Sequence, residues 1–206
     1  MSNERCFKIK PIETQYKGYR FRSRLEARWA VFFDSLGMLW EYEREGFDLG
    51  EAGWYLPDFW LPALDKWIEI KPMEYDEEHD VKWPDDPRFY SFSEENSLVV
   101  IKGSPRLPFL ASGVFDERRE SYIGFWYWRG SGDYPYFWCE CPTCGSIDIQ
   151  YDGRSARNEH MPDCEILMLR KQGKSHPIYG RTDDKVYNLD SPRLRAAYDA
   201  ACSIRF

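Results

Sequence analysis

The sequence has no run of eighteen consecutive apolar residues, and its first ten residues, MSNERCFKIK, lack the apolar centre of a secretory signal. A membrane-crossing helix is therefore not expected, and the expectation is a soluble, cytoplasmic protein with no membrane partner. There is no internal repeat and no low-complexity tract, so a solenoid is not expected either. Positive charge is short overall: a net charge of -7 argues against a general nucleic-acid coat protein. The shortage is uneven. Residues 1–28 carry eight Lys and Arg against three Asp and Glu, residues 29–100 five against eighteen, and residues 101–206 fifteen against fourteen. The N-terminal segment is the expected contact for a polyanion, unless acidic neighbours in space balance it. Without an export signal the six cysteines are expected to be reduced, and their clustering then points to metal rather than to disulfides.

What is present suffices for a core. With 206 residues, 43% of them hydrophobic and 17% aromatic, the chain can bury one good core and has enough left for a small second unit. YKGYRFRS reads as a short extended or turn segment. In SRLEARWAVFFDSLG, Leu25, Trp29, Phe32 and Leu36 recur at helical spacing, and Gly37 supplies a stop. Ser23 with Glu26 three residues later forms a capping box. LWEYERE, WYLPDFWLP and KWIEIKP read as strands, the last two separated by a turn near Pro62 to Lys66. An acidic, proline-broken stretch with room for a short helix follows, read as solvated surface, and His79 within it is read as solvated too. SLVVIKG and SYIGFWYWRG then read as further strands. The aromatic run FWYWRG reads as a strand in the core, with base stacking as the alternative. From about residue 130 the texture changes to Gly, Cys and short polar segments. In SPRLRAAYDAACSIRF, Ser191 is an N-cap and Pro192 the first position of a final helix.

The stretch YLPDFWLPALDKWIEIKP, residues 55–72, poses a chemical question, because Asp58, Glu69 and Lys71 interrupt an apolar run. Burying such charges costs several kcal/mol unless they are paired, hydrogen-bonded or bound to a metal. Along the last strand Ile68 and Ile70 face one way, and Trp67, Glu69 and Lys71 the other. If the two strands are neighbours, a divalent cation resolves the repulsion between Asp58 and Glu69, and oxygen ligands of this kind favour Mg²⁺ or Mn²⁺ over zinc. Such an ion activates water for attack on a phosphoryl group, and Lys71 on the same face can orient that water or neutralise developing charge. The alternative is a surface ion pair of Lys71 with one of the two carboxylates.

Leu-Pro-Asp at 56–58, Glu-Ile-Lys at 69–71 and an upstream helix bearing Glu26 resemble the PD-(D/E)XK signature of the restriction-endonuclease-like nuclease superfamily. From Tyr16 to Pro72 the chain resembles small phage-encoded nuclease-like proteins, related in this part to resolvase-type and transposase-type DNA-cutting subunits. A weaker likeness runs through CPTCG, DGR and SPRLRAAYDAA. The resemblance implies an α/β fold: a restriction-endonuclease-like core with a mixed central sheet flanked by helices over residues 1–130, then a zinc-binding module and C-terminal helix over 131–206. It also implies metal-dependent hydrolysis of DNA phosphodiester bonds. Asp58 and Glu69 would be the Mg²⁺ ligands, Lys71 the catalytic lysine, and Glu26 an accessory ligand whose capping role competes. A non-catalytic DNA-binding or assembly subunit with the same fold is the alternative. A homodimer would suit cutting of both strands, and the cytoplasm would be that of a bacterial host if the chain is phage-encoded.

Lys17, Arg20, Arg22, Arg24 and Arg28 lie just before or on the Glu26 helix, where they could grip phosphates flanking a cut. Farther on, Cys141 and Cys144, then His160 and Cys164, match the spacing and loop length of a tetrahedral structural Zn²⁺ site. Cys139 could replace His160, and His176 is a remoter candidate. Arg154 and Arg157 in that loop permit DNA contact. Cys6 and Cys202 read as ordinary thiols.

Overall fold

The computed structural model describes residues 11–75, 82–107, 122–127, 130–131, 136–140, 145–151, 189 and 191–206. The chain enters through a hairpin of β1 (Thr14–Tyr16) and β2 (Tyr19–Phe21). Its two turn residues, Lys17 at φ 47° and Gly18 at φ 84°, both take the positive φ that lets a two-residue turn follow the twist of the strands. Helix α1 (Arg24–Ser35) follows, with Ser23 as N-cap accepting from the Glu26 N–H at 3.2 Å. Trp29, Phe32 and Leu36 of the expected stripe are buried and Leu25 is half-buried. Ala27, Ala30, Val31 and Phe33 are buried as well. The wider apolar face has a cause: α1 packs against both the sheet and the last helix.

Among the described residues ten more strands follow. They are β3 (Glu41–Tyr42), β4 (Phe47–Asp48), β5 (Trp54–Tyr55), β6 (Phe59–Leu61), β7 (Lys66–Lys71), β8 (Leu98–Lys102), β9 (Tyr122–Tyr127), β10 (Gly130–Ser131), β11 (Tyr136–Glu140) and β12 (Ile147–Tyr151). Helix α2 (Pro87–Ser93) lies between β7 and β8, and α3 (Pro192–Ser203) comes last. The main sheet runs β12-β11-β9-β8-β7-β6-β3, with β10 beside β9. β7 and β8 are parallel and the other pairs antiparallel. This is a mixed α/β architecture.

The segment expected as one strand, WYLPDFWLP, is divided. Pro57 has no N–H to give to a ladder, so the chain leaves the separate β4–β5 pair after Tyr55 and joins the main sheet at Phe59. The break places Asp58 at the mouth of the sheet rather than within it. Alternation then sorts β7 and β8 between two faces. Ile68, Ile70, Val99 and Ile101 meet α1 and α3 in one cluster, whereas Trp67, Leu98 and Val100 meet Phe89 and Phe92 of α2 and Tyr55 in another. A strand covered on both faces reads as a continuous apolar run, as Leu98-Val99-Val100-Ile101 does.

The sheet and core extend across residue 130. Trp138, Ile147 and Ile149 of β11 and β12 and Leu194, Ala197, Tyr198 and Ala201 of α3 belong to the same cluster as α1. Arg193 donates to the carbonyls of Gly145, at 2.9 Å, and Leu36, so the start of α3 ties the end of α1 to the β11–β12 turn. Among the described residues no helix is long and apolar enough to cross a membrane.

Candidate active site

Strand register brings the acidic residues together. β6 and β7 pair Leu61 with Lys66, Trp60 with Trp67 and Phe59 with Ile68, and one further step sets Asp58 opposite Glu69. On the other flank Tyr42 pairs with Phe59 and the Glu43 N–H donates to the Asp58 carbonyl at 2.9 Å. Glu43 and Asp58, each one residue outside β3 and β6, thus line up with Glu69 of β7, with the first turn of α1 alongside.

Asp58, Glu69 and Glu26 are only 4%, 5% and 7% exposed. Each is held by specific donors. Asp58 Oδ2 accepts from the Ile70 N–H at 2.7 Å, and Oδ1 from Arg22 Nη2 at 3.2 Å. Glu69 Oε2 accepts from the Tyr55 hydroxyl at 2.9 Å, and Oε1 from the Lys71 ammonium. Glu26 Oε1 accepts from Ser23 Oγ at 2.6 Å, while Oε2 accepts from the Tyr42 hydroxyl at 2.6 Å and the Arg22 N–H at 3.1 Å. Glu26 therefore closes the helix start one residue earlier than a standard capping box, which would use the Ser23 N–H. The same carboxylate also faces the site.

Asp58 and Glu69 share a pattern. One oxygen of each is fixed by a neutral donor of the scaffold, and the other meets, among the described residues, a part-exposed cation, Arg22 or Lys71, whose side chains are 55% and 34% exposed. Burial pushes the Asp58 carboxyl well above the ordinary aspartate range, and the charges of Glu69 and Glu26 push it the same way, against the Ile70 N–H and Lys71. The Tyr55 phenol is likewise held far above its usual range by burial, then by Glu69. Burial, helped by the bond to Glu26, does the same to Tyr42. Both phenols stay protonated, as donors to carboxylates must. Lys71 lies 5.6 Å from the centre of the Phe89 ring, and Arg88, bonded through Nε to both oxygens of Asp86, lies 5.9 Å from that of Tyr55. Helix α2 thereby lines the lysine side of the cluster.

The donor set suits a hard divalent cation: two carboxylates on adjacent strands, each with one oxygen turned to exchangeable partners. Among the described residues no three His, Cys, Asp or Glu side chains group around a single cation position. Asp58 and Glu69 are the two carboxylates that could share an ion, while the oxygens of Glu26 are engaged by Ser23, Arg22 and Tyr42.

The five basic residues are spread along α1 and the hairpin before it. Lys17 pairs with Asp34 at 3.0 Å and Arg20 with Glu13, both at exposed positions. Arg22 bridges Glu43, at 2.6 Å, and Asp58. Arg24 is exposed, and Arg28 is half-buried with an Nε that meets no hydrogen-bond acceptor among the described residues. Arg20, Arg22 and Arg24 thus lie exposed just before or at the start of α1, Arg22 reaching into the acidic row, whereas Lys17 lies beside Asp34 at the opposite end of the helix. Cys141, Cys144, His160, Cys164, His176, Arg154 and Arg157 lie outside the described residues, as do Cys6, His79 and the side chains of the aromatic run in β9. Cys139 is buried on β11, where its thiol donates to the Phe137 carbonyl at 3.4 Å.

Tyr42, Glu43, Tyr55 and the inward reach of Arg22 have no signature in the sequence. Their relation to Asp58 and Glu69 depends on which strands neighbour one another, and a local pattern does not encode that. The nearest signal is Tyr55, three residues before Asp58, in a run otherwise apolar. No family model, curated protein or solved structure matches the chain.

Proposed function

We propose that the protein is a divalent-cation-dependent nuclease of the PD-(D/E)XK type that hydrolyses DNA phosphodiester bonds. The observation that carries the reading is buried Asp58, one residue before β6 and one step beyond the Phe59–Ile68 pair, beside buried Glu69 of β7, with Lys71 on the Glu69 carboxylate. A buried pair of carboxylates with raised proton affinity at Asp58 is an arrangement that a cation stabilises and an apolar core does not. The restriction-endonuclease-like core belongs to the same proposal, as does DNA as the partner.

Asp58 and Glu69 would hold Mg²⁺ or Mn²⁺, which supplies Lewis-acid polarisation of a phosphoryl oxygen and a more acidic water. The chain's own groups do the remainder. The Ile70 N–H and the Tyr55 hydroxyl fix one oxygen of each carboxylate, so the opposite oxygens stay aimed at the cation position. Lys71 is half-exposed on the same face as Glu69, placed to orient the attacking water or to neutralise charge gathering on the phosphate. Tyr42 keeps Glu26 in place beside Asp58. The exposed Arg20 and Arg24 would supply contacts to flanking phosphates, which position a duplex without reading its sequence, and Lys17, paired with Asp34 at the other end of α1, would reach only more distant ones.

The test uses purified protein and a panel of linear duplex, supercoiled, single-stranded and branched DNA, with Mg²⁺, Mn²⁺ or chelator. Cleavage is expected with either ion, to stop with chelator, and to fall at least about a hundredfold in Glu69→Ala and Lys71→Ala, the scale of losing an electrostatic catalytic group. Binding without cleavage under every condition would move the assignment to a DNA-binding or assembly subunit.

A further inference from the structure

We propose that Arg22 is a tethered counter-ion, which occupies the cation-facing oxygen of Asp58 until a divalent ion takes it and then turns to the phosphate of the bound substrate. The inference rests on the nuclease reading and deepens it. Its basis is that one guanidinium sits on two carboxylates. Nη2 donates to Asp58 Oδ1 at 3.2 Å, while the Ile70 N–H holds the other oxygen of Asp58, and Nε lies 2.6 Å from Glu43 Oε1 in an ion pair.

The surroundings fit a pivot. The Arg22 backbone is fixed, because its N–H donates to Glu26 Oε2 and to the Tyr42 hydroxyl, each at 3.1 Å. Its side chain is 55% exposed, against 6% for that of Asp58, so one end stands in water and the other enters the buried row. Glu43 is itself held in place: it adopts φ 47°, a left-handed conformation that a non-glycine residue takes at a cost of about 1–2 kcal/mol, with its N–H on the Asp58 carbonyl. Backbone strain of this kind persists where the surrounding structure over-determines it, often at functional sites.

The swap follows from Coulomb's law. A guanidinium and a divalent cation on one oxygen repel each other by several kcal/mol at protein-like dielectric, so arrival of the ion favours a position of Arg22 away from Asp58. Once displaced from Asp58, Arg22 keeps Glu43 and gains two or more unused donors, the fork that binds phosphate in bidentate fashion. Lys71 on Glu69 Oε1 makes a parallel arrangement on the far side of the pair. Arg22 would thus couple cation binding to substrate binding.

The test measures Mn²⁺ affinity without DNA, by electron paramagnetic resonance of the free ion, in wild type, Arg22→Gln and Arg44→Gln. Arg44 carries the same charge just beyond β3 and pairs with Glu41 and Glu45 rather than Asp58, so it sets the long-range background. Arg22→Gln is expected to bind Mn²⁺ about threefold or more tighter than Arg44→Gln, the equivalent of roughly 0.7 kcal/mol. Binding of a duplex is then measured with Ca²⁺ or with chelator. Arg22→Gln should weaken it more with Ca²⁺ than with chelator, a difference that a merely structural role would not produce. Unchanged or weaker Mn²⁺ binding in Arg22→Gln, with Asp58→Asn abolishing it, overturns the counter-ion role and leaves the nuclease reading standing. No Mn²⁺ binding by wild type overturns both.

Discussion

Asp58 carries the electrostatic tension of the site, and that tension sets a measurable pH dependence. Its carboxyl is raised by burial first, then by Glu69 and Glu26. Between the ordinary aspartate range near pH 4 and the raised folded value, the folded chain keeps a proton that the unfolded chain has released. Stability from this group is therefore full at low pH and falls as pH rises through the window. Asp58→Asn removes the ionising group while keeping an oxygen for the Ile70 N–H. The metal-free variant should match wild type near pH 4 and melt higher at pH 7, by about 2–4 °C if the relief is near 1 kcal/mol. Thermal scans in chelator across pH 4–7 check this, and a difference that shrinks with rising pH would reverse the sign argued here. At this scale the sequence was partly legible. Alternation within one strand puts Glu69 and Lys71 on a common face, but the tyrosines and Glu43 enter from strands distant in sequence, which no local pattern pairs with them.

Among the elements, α1 shows how local signals fix a helix that serves both core and site. Its start is set by Ser23 and Glu26, and its end by Gly37 at φ 67°, whose N–H donates to Asp34 while the Met38 N–H reaches back to Phe33, both at 2.9 Å. A Cβ on Gly37 would meet no atom within 4 Å, so Gly37→Ala costs only the left-handed backbone, about 1 kcal/mol. A urea melt should show the midpoint lowered with the slope unchanged; an unaltered midpoint would mean that the turn relaxes. Caps and periodicity made α1 and α3 readable, and Asp86 with Pro87 starts α2 by the same signals. The division of WYLPDFWLP was harder to see. Tyr55 and Phe59 are both apolar and strand-like, and they join different sheets because Pro57 breaks the ladder between them.

For the whole molecule, the change of texture near residue 130 is not matched by a break in the sheet. β11, β12 and α3 complete the core that α1 begins. Composition registered the Gly- and Cys-rich connections, whereas packing follows the apolar residues between them, Trp138, Ile147, Ile149 and Tyr198. The four proposed zinc ligands, Cys141, Cys144, His160 and Cys164, lie outside the described residues. Elemental analysis of the purified chain should give about one zinc per molecule, the stoichiometry of a four-ligand structural site. Replacing Cys141 and Cys144 by Ser should remove it, and full retention would rule out that ligand set.

If Asp58 and Glu69 hold a divalent cation as proposed, diffraction from crystals soaked in Mn²⁺, recorded at the manganese edge, should show an anomalous peak between Asp58 Oδ1 and Glu69 Oε1, with the Ile70 and Tyr55 bonds to the opposite oxygens intact. No peak there, with Arg22 and Lys71 still seated on those two oxygens, would rule the cation site out.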